Sequence, residues 1–528
     1  MKSNREIKAY LVGGGIASLA SAVYLIRDGD LAGKNIYIFE EGEKTGGALD
    51  ANQLAPKTYL MRGGRMFEEK YVCTFDLLSE IPSLTETGQS VKESIFNLNR
   101  KHPTLCRSRL IFDGKKVNLS SFGFSRQDRL AIVRLLFKSE KSLGTSTIAN
   151  HFDASFFKTN FWFLFCSTFA FLPWHSAIEF RRYLLRFFHH FKGTGLRTLS
   201  EVWRTEYNQY DSIVLPIVSW LKEQGVNFET ATQVKDFEFQ INKNSRVIKK
   251  IFSVKNKTER ELILADHDLV IATIGSMTAN SSLGKMDKAP QLKIKNKDNS
   301  WLLWENIAKK YPDLGRPEVF TRNIDQTKFI SFTVTATDPL FFRLIEELTG
   351  NKANTDNFIT ITDSNWLLSI VLPRQPHFIN QPKDIGVFWG YALFPDQLGN
   401  FVKKKMSDCT GKEILTEIIH HLKFEKDREQ LFKTTICIPC LMPFITSQFA
   451  VRRHGDRPLV IPRGAKNFAL IGQFSELPHD TVFTVEYSIR TAQEAVFSLL
   501  RLNKKTSQIH KGYHHPKILW QNFWTLFE

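Results

Sequence analysis

Cysteine is scarce, with six in 528 residues. Cys73, Cys106, Cys166 and Cys409 stand alone, and only Cys437 and Cys440 form a C-x-x-C pair. No second pair and no His cluster completes a metal site, so no metal is expected, and a disulfide framework is excluded. The six read as reduced core thiols, which fits a reducing compartment. Long hydrophobic runs are also missing. The most apolar stretch, 161–174, contains Ser167 and Thr168 and falls short of the ~20 residues a spanning helix needs. It reads as a buried helix or a pocket wall. Acidic residues are in deficit, 54 Asp+Glu against 71 Lys+Arg, for a net charge of +17. That excess favours an anionic partner. No DNA or RNA module is visible, so an anionic membrane surface or an acidic substrate outranks nucleic acid. The chain starts almost directly on a strand with no signal peptide, and no internal repeat stands out. A cytoplasmic protein is expected, with a peripheral position at the inner face of the membrane as a further expectation.

What is present is a nucleotide-binding layout. The apolar strand Ala9-Tyr10-Leu11-Val12 runs into Gly13-Gly14-Gly15 and then a helix opening on Ile16 and Ala17. A second strand, Ile36 to Phe39, ends in Glu40, followed by Glu41. Gly13 permits a tight turn, Gly15 lets backbone approach a pyrophosphate, and the helix N-terminus offers free N–H groups and a positive dipole end. Glu40 is placed to accept hydrogen bonds from a ribose, and Ser18 is small enough for close helix–strand packing. Further glycines follow at Gly46-Gly47 and in Arg62-Gly63-Gly64-Arg65. Glycine pairs let backbone pass close to a bulky planar ligand, so the cofactor reads as FAD rather than NAD. Asp268 to Gly275, with Thr273 before the small-residue turn, and Asn467 to Gln473, with its turn at Gly472, read as later strands of the same domain.

The expected fold class is α/β: a discontinuous Rossmann-type FAD-binding domain with an inserted α+β substrate domain and a C-terminal helical tail. The FAD-binding domain is expected over 1–90, 200–285 and 435–500. The substrate domain takes 91–199 and 286–434, and the tail 501–528. Strand patterns cover Phe329 to Thr335, Trp366 to Leu372 and Ile385 to Leu393, and Asn242 to Arg246 reads as a turn between strands. Helices are expected from Ser176 to Phe188, near Gly411 to Leu422, and from about Val485. In the tail, Trp520, Phe523, Trp524 and Phe527 are spaced along one side of a helix beside Lys511 and Lys517, as in an interfacial anchor or a helix docked on its own domain. The 44 phenylalanines suit a long apolar ligand but also simply fill a core.

Arg62-Gly63-Gly64-Arg65, Glu179-Phe180-Arg181-Arg182-Tyr183, Tyr207-Asn208-Gln209-Tyr210, Pro443 to Phe449 and Gly455-Asp456-Arg457-Pro458 together resemble the oleate hydratases, once called myosin-cross-reactive antigens. The likeness runs through almost the entire chain, in order. It implies an FAD-dependent hydro-lyase, a monomer or homodimer. The reaction would add water across the cis-9 double bond of oleate, and of relatives such as linoleate, to give 10-hydroxy fatty acids without net redox. By the resemblance, Tyr183 matches the tyrosine that protonates the alkene, and Gln209, with Tyr207 beside it, matches a residue near the substrate. Thr435 and Thr446 fall in segments that meet the fatty acid. The family Glu that follows R-G-G-R and positions water is here Met66, which cannot accept a proton. Glu68 and Glu69 follow, and Glu69 is taken as the acid nearest that role. A tyrosine with a pKa near 10 is a poor acid alone, so Arg181 or Arg182 is expected to stabilise its phenolate. Met66 also keeps two alternatives open: a flavin-dependent fatty acid double-bond isomerase or oxidoreductase, and a non-catalytic lipid and flavin binder.

Overall fold

The computed structural model describes residues 6–187, 195–293, 299–352 and 355–509. Its nucleotide-binding half is a five-stranded parallel sheet. In space the strands run Phe468–Ile471, Leu269–Thr273, Ala9–Val12, Ile36–Phe39 and Asn227–Glu229. Numbered along the chain this is the order 3-2-1-4-5 of a doubly wound fold. The central strand is apolar throughout because both faces are covered. Ala9 and Leu11 join the core around the helices Ile16–Arg27 and Val485–Leu499, which pack on each other. Tyr10 and Val12 face the opposite core with Trp301 and Trp304. The helix is drawn close to the sheet at Ser18, whose hydroxyl lies 3.1 Å from that of Thr273.

The expected turn near 242–246 joins Thr232–Asn242 to Ser245–Lys255 in a three-stranded antiparallel sheet. A larger sheet of eight strands holds the expected strands as Phe329–Ala336, Leu368–Leu372 and Gly386–Ala392. It also holds Thr435–Met442, which pairs along its whole length with Phe329–Ala336. That segment was expected in the nucleotide-binding domain. Its pairing, not its position in the chain, sets where it belongs. Conversely the helix Asn299–Lys310, expected in the substrate domain, packs on Thr232–Asn242 and joins the core beneath the parallel sheet.

The two halves are joined by the ribbon Ala51–Ala55/Thr58–Met61. Thr333 Oγ1 accepts from the Met61 N–H at 2.9 Å and lies 3.0 Å from its carbonyl oxygen, while Thr335 Oγ1 accepts from the Tyr59 N–H at 3.1 Å. This leaves Arg62 to Arg65 at the seam. Two helices close the seam: Asn160–Phe169, from the apolar run, and Ala177–Arg186. On the latter, Glu179, Arg182, Tyr183 and Arg186 share one side at spacings of three, one and three. The charged members are paired in the interior. Glu179 meets Arg452 at 3.1 Å and Arg457 at 3.0 Å, and Arg182 meets Glu140 at 2.8 Å and Glu476 at 3.0 Å. Three carboxylates thus face three guanidiniums, which anchors the rotation of the Tyr183 helix.

All six cysteines are buried and free. Among the described residues no helix is long and apolar enough to cross a membrane. Thr506 and Ser507 lie against the Val485–Leu499 helix: the Ser507 N–H donates to Gln493 at 2.9 Å and Thr506 to Glu494 at 2.5 Å. The remainder of the expected tail helix, with Lys511, Lys517, Trp520, Phe523, Trp524 and Phe527, lies outside the described residues.

Candidate active site

A groove of about 370 Å³ runs along the carboxyl ends of the parallel strands, where the strand order reverses. It is the position at which open α/β sheets take ligands. Gly13 (φ 91°), Gly15, Ile16 and Ala17 form its floor. Glu40, Glu41, Gly47, Arg62, Thr273, Gly275 and Gly472 complete the expected set there. Glu40 is fixed by two backbone donors, Gly14 N–H at 2.7 Å and Gly42 N–H at 2.8 Å. Gly14, which the motif reading passed over, is the most crowded of the three glycines. A Cβ there would lie 2.8 Å from Glu40 Oε2 and 2.8 Å from Thr45 Cγ2. At Gly15 the nearest atom to a Cβ would be Gly47 Cα at 4.0 Å, so that glycine serves the groove and not the fold. Helix Ile16–Arg27 has no side-chain cap and no acid in its first turn. A strand end, a bare helix N-terminus and a fixed carboxylate fit the pyrophosphate and ribose of a dinucleotide. The sequence signal did not reach the rest of the wall, which includes Met277, Gln473 and Ser488.

Arg62 braces the glycine loop, bonding Asp50 at 2.8 Å and the carbonyls of Thr278 and Gly47 at 3.1 Å. Gly63 does not line the groove: its Cβ direction is taken by the Arg65 guanidinium, 2.7 Å away. Gly64 and Arg65 turn instead into a second cavity. Arg65 is the partition between the two spaces. Its guanidinium reaches Ala48 and Met277 of the groove and lies over the Phe483 ring. Burial, with Arg62 nearby, lowers its pKa to about 10, so it stays cationic at neutral pH.

That second cavity, about 90 Å³, is aromatic: Phe169, Phe187, Phe329, Phe358, Phe483 and Trp389 line it with Met66, Tyr71 and Tyr183. Another of about 40 Å³ continues it past Met66, Tyr71, Thr168, Phe169 and Phe187 to Glu68. Some of the abundant phenylalanine therefore lines a narrow apolar space, while Phe161, Phe165 and Phe180 fill core beside it. Tyr183 is 1% exposed and donates to the Val482 carbonyl at 2.5 Å. Burial drives its pKa well up, Tyr71, Glu179 and Asp480 add to this, and Arg65 opposes it. The cation facing Tyr183 is thus Arg65, not Arg181 or Arg182. Arg181 donates to the Leu136 carbonyl and Arg182 is committed to Glu140 and Glu476.

The two candidate acids after Met66 separate clearly. Glu69 is exposed and lines neither cavity, which removes it from the site. Glu68 is buried, pairs with the buried Arg186 at 2.5 Å, and lines the inner cavity. Tyr71 lies between that pair and Tyr183, with Arg186 over its ring. Its pKa is raised well above 10 by burial and then by Glu68. Gln209 does not line the cavity but supports it, donating to the Arg65 carbonyl at 3.1 Å. Tyr207 lies outside both cavities. Thr435 and Thr446 are likewise not at the site. Their hydroxyls donate to the carbonyls of Leu431 at 2.6 Å and Thr327 at 2.9 Å, so both tie down backbone.

Comparison with known proteins gives the family and the fold. Residues 6–497 match the MCRA family. The chain is 40% identical over 506 residues to an oleate hydratase of Streptococcus pyogenes serotype M49 (strain NZ131), covering 93% of this chain and 85% of that protein. It is 33% identical over 531 residues to a linoleate hydratase of Lactiplantibacillus plantarum, covering 93% of each. Among solved structures, an oxidoreductase from Methanosarcina mazei aligns with TM-score 0.51 at 12% identity, over 92% of this chain and 100% of that one. Wild-type putrescine oxidase bound to putrescine aligns with TM-score 0.51 at 12% identity, over 94% and 99%. At that identity these two show a shared fold alone.

Proposed function

The chain belongs to the MCRA family, and from that premise we propose that it is a fatty acid hydratase that binds FAD and adds water across the cis double bond of oleate and related acids. The 10-hydroxy acid is the proposed product. The observation that carries this reading is Tyr183 buried in an aromatic cavity beside a cation, one partition away from a dinucleotide groove. The hydratase relatives support the same reaction.

Gly13 to Ala17, Glu40 and Arg62 would hold the FAD. When bound it supplies structural and electrostatic support rather than electrons, because hydration is not a redox change. Gly15→Val tests this site. The position tolerates a Cβ, so the variant is expected to fold, while its methyl groups fill the space a pyrophosphate needs. The purified variant should lack the yellow flavin absorbance with an unchanged circular dichroism spectrum. Full retention of flavin would contradict the assignment.

The reaction needs a proton on one alkene carbon and water oxygen on the other. Tyr183 would give the proton, its developing phenolate stabilised by Arg65. Water would add to the opposite carbon and lose a proton to Glu68, from which the phenolate is restored. Glu68 is proposed because it is the buried carboxylate on the continuous wall from Tyr183, held in place by Arg186. Met66 is then not a simple vacancy. Met66→Glu would add a second carboxylate beside Glu68 with no new cation, and burying it unpaired costs several kcal/mol or forces protonation. Turnover of this variant is expected to stay level or fall. A severalfold rise would show that position 66 itself faces the reacting carbon.

A further inference from the structure

The two cavities beside Arg65 share a wall but not their polar groups. Tyr183 lines the aromatic one and Glu68 the inner one. Hydration leaves these two groups in opposite states. One proton has left Tyr183 for carbon, and another has reached Glu68 from water. Each cycle must then carry a proton from the inner cavity back to the aromatic one. Among the described residues five line both: Met66, Tyr71, Thr168, Phe169 and Phe187. Of these only Tyr71 and Thr168 have a side-chain proton to exchange. The Thr168 hydroxyl is engaged. It donates to the Leu164 carbonyl at 2.6 Å and accepts from Arg109 at 3.1 Å. The Tyr71 hydroxyl makes no hydrogen bond among the described residues. The Tyr71 residue is nevertheless well fixed. Its N–H donates to the Glu68 carbonyl at 3.0 Å, its ring meets Phe67 edge-on at 6.3 Å, and the Arg186 guanidinium lies 5.8 Å from the ring centre.

We propose that Tyr71 is the proton relay of the catalytic cycle, returning to Tyr183 the proton that water loses to Glu68. The inference rests on the hydratase reading and completes its cycle. Two O–H bonds break and two form. Tyr71 gives its proton to the Tyr183 phenolate and takes the proton of the Glu68 carboxyl. Both phenols and the Glu68 carboxylate end as they began, with no oxidant, reductant or further reactant. The first transfer runs from one phenol to another, so it is near balance. A cation stands at each end, Arg65 at Tyr183 and Arg186 at Tyr71. At rest Arg186 is paired with Glu68 at 2.5 Å. Once Glu68 is protonated, that charge is released to stabilise a Tyr71 phenolate. Burial and then Glu68 hold the resting proton on Tyr71, and burial and then Tyr71 do the same at Tyr183. The three groups are coupled in the order the proton travels. A single water can bridge a transfer that is not direct. The inner cavity, about 40 Å³, exceeds the ~10–15 Å³ a water needs.

The test is a rapid-quench time course of purified, flavin-loaded protein with excess oleate, wild type against Tyr71→Phe. The proton for the first hydration is already on Tyr183. The variant is therefore expected to form its first equivalent of hydroxy acid at the wild-type rate. Later turnovers wait for the phenolate to be restored, so the steady rate is expected to fall about tenfold. That is less than the ~10²–10⁴-fold of losing the acid itself, because water in the inner cavity substitutes slowly for the relay. Melting temperature and flavin content should match wild type, since the deleted hydroxyl makes no protein bond and the ring stays. An unchanged steady rate, in a wild type that hydrates oleate, overturns the relay alone. So does a first turnover slowed as much as the later ones, which would place Tyr71 at the water instead. A wild type that hydrates no oleate would remove the hydratase reading and the relay with it.

Discussion

Tyr183→Phe is expected to cut hydration turnover by about 10²–10⁴-fold, the range for losing a general acid, with flavin content unchanged. The substitution removes one hydroxyl and leaves the ring. That ring keeps its edge contacts with Phe169, Phe171 and Phe449 at 5.1, 4.9 and 5.7 Å. Among the described residues the bond lost is the one to the Val482 carbonyl, worth about 1 kcal/mol of stability. Melting temperature should therefore move by a few degrees at most, and a collapse of activity could not be blamed on unfolding. The buried hydroxyl, held well above its ordinary pKa, stays protonated across the whole neutral range, so the proton is available at any working pH. Arg65, cationic with a pKa of about 10, is what makes its departure affordable. A Tyr183→Phe enzyme with more than about a third of wild-type turnover, far outside that range, would mean the proton comes from elsewhere.

The second large effect is expected at Glu68. Glu68→Gln should lower kcat by a comparable factor with little change in KM, because the side chain is assigned to water and not to the fatty acid. The variant also leaves Arg186 buried without its carboxylate, and breaking such a pair costs about 3–5 kcal/mol, so reduced stability is expected too. The double variant Glu68→Gln/Arg186→Met separates the two effects. With the stranded charge gone, stability should recover. If Glu68 acts on water, activity stays low. If its role is only to satisfy Arg186, activity returns with stability. Tyr71→Phe gives a further check without touching charge: a smaller fall in kcat is expected if its hydroxyl helps hold the same water.

The groove was legible in the sequence because its signal is local. A strand, a glycine turn, a helix and an acid at the next strand end all lie within the first forty or so residues, and each has its own physical reason. The later strands at Leu269–Thr273 and Phe468–Ile471 carried the same apolar run and small-residue turn. The cavity was not legible in this way. Its walls come from Gly64 to Met66, Tyr71, Ser167 to Ala170, Tyr183, Trp389 and Phe483 to Val485, which meet only through the eight-stranded sheet and the two helices at the seam. Tyr183 was reached by resemblance, not by pattern. The choice between Glu68 and Glu69 turned on an irregular stretch, where no periodicity says which of two adjacent acids points inward. Arg181 or Arg182 was the expected cation because both stand just before Tyr183 in sequence, and Arg181 donates instead to the Leu136 carbonyl. Arg182 pairs with Glu140 and Glu476, and the cation at Tyr183 is Arg65, from a loop more than a hundred residues earlier. Thr435 and Thr446 carried no signal that their hydroxyls would be taken by backbone carbonyls.

The most direct measurement is the mass of the product after incubation of the purified, flavin-loaded protein with oleic acid. A gain of one water, with the flavin spectrum unchanged at the end of the reaction, is the predicted result. A loss or gain of two hydrogens, an unchanged mass with a moved double bond, or intact oleate would each contradict it.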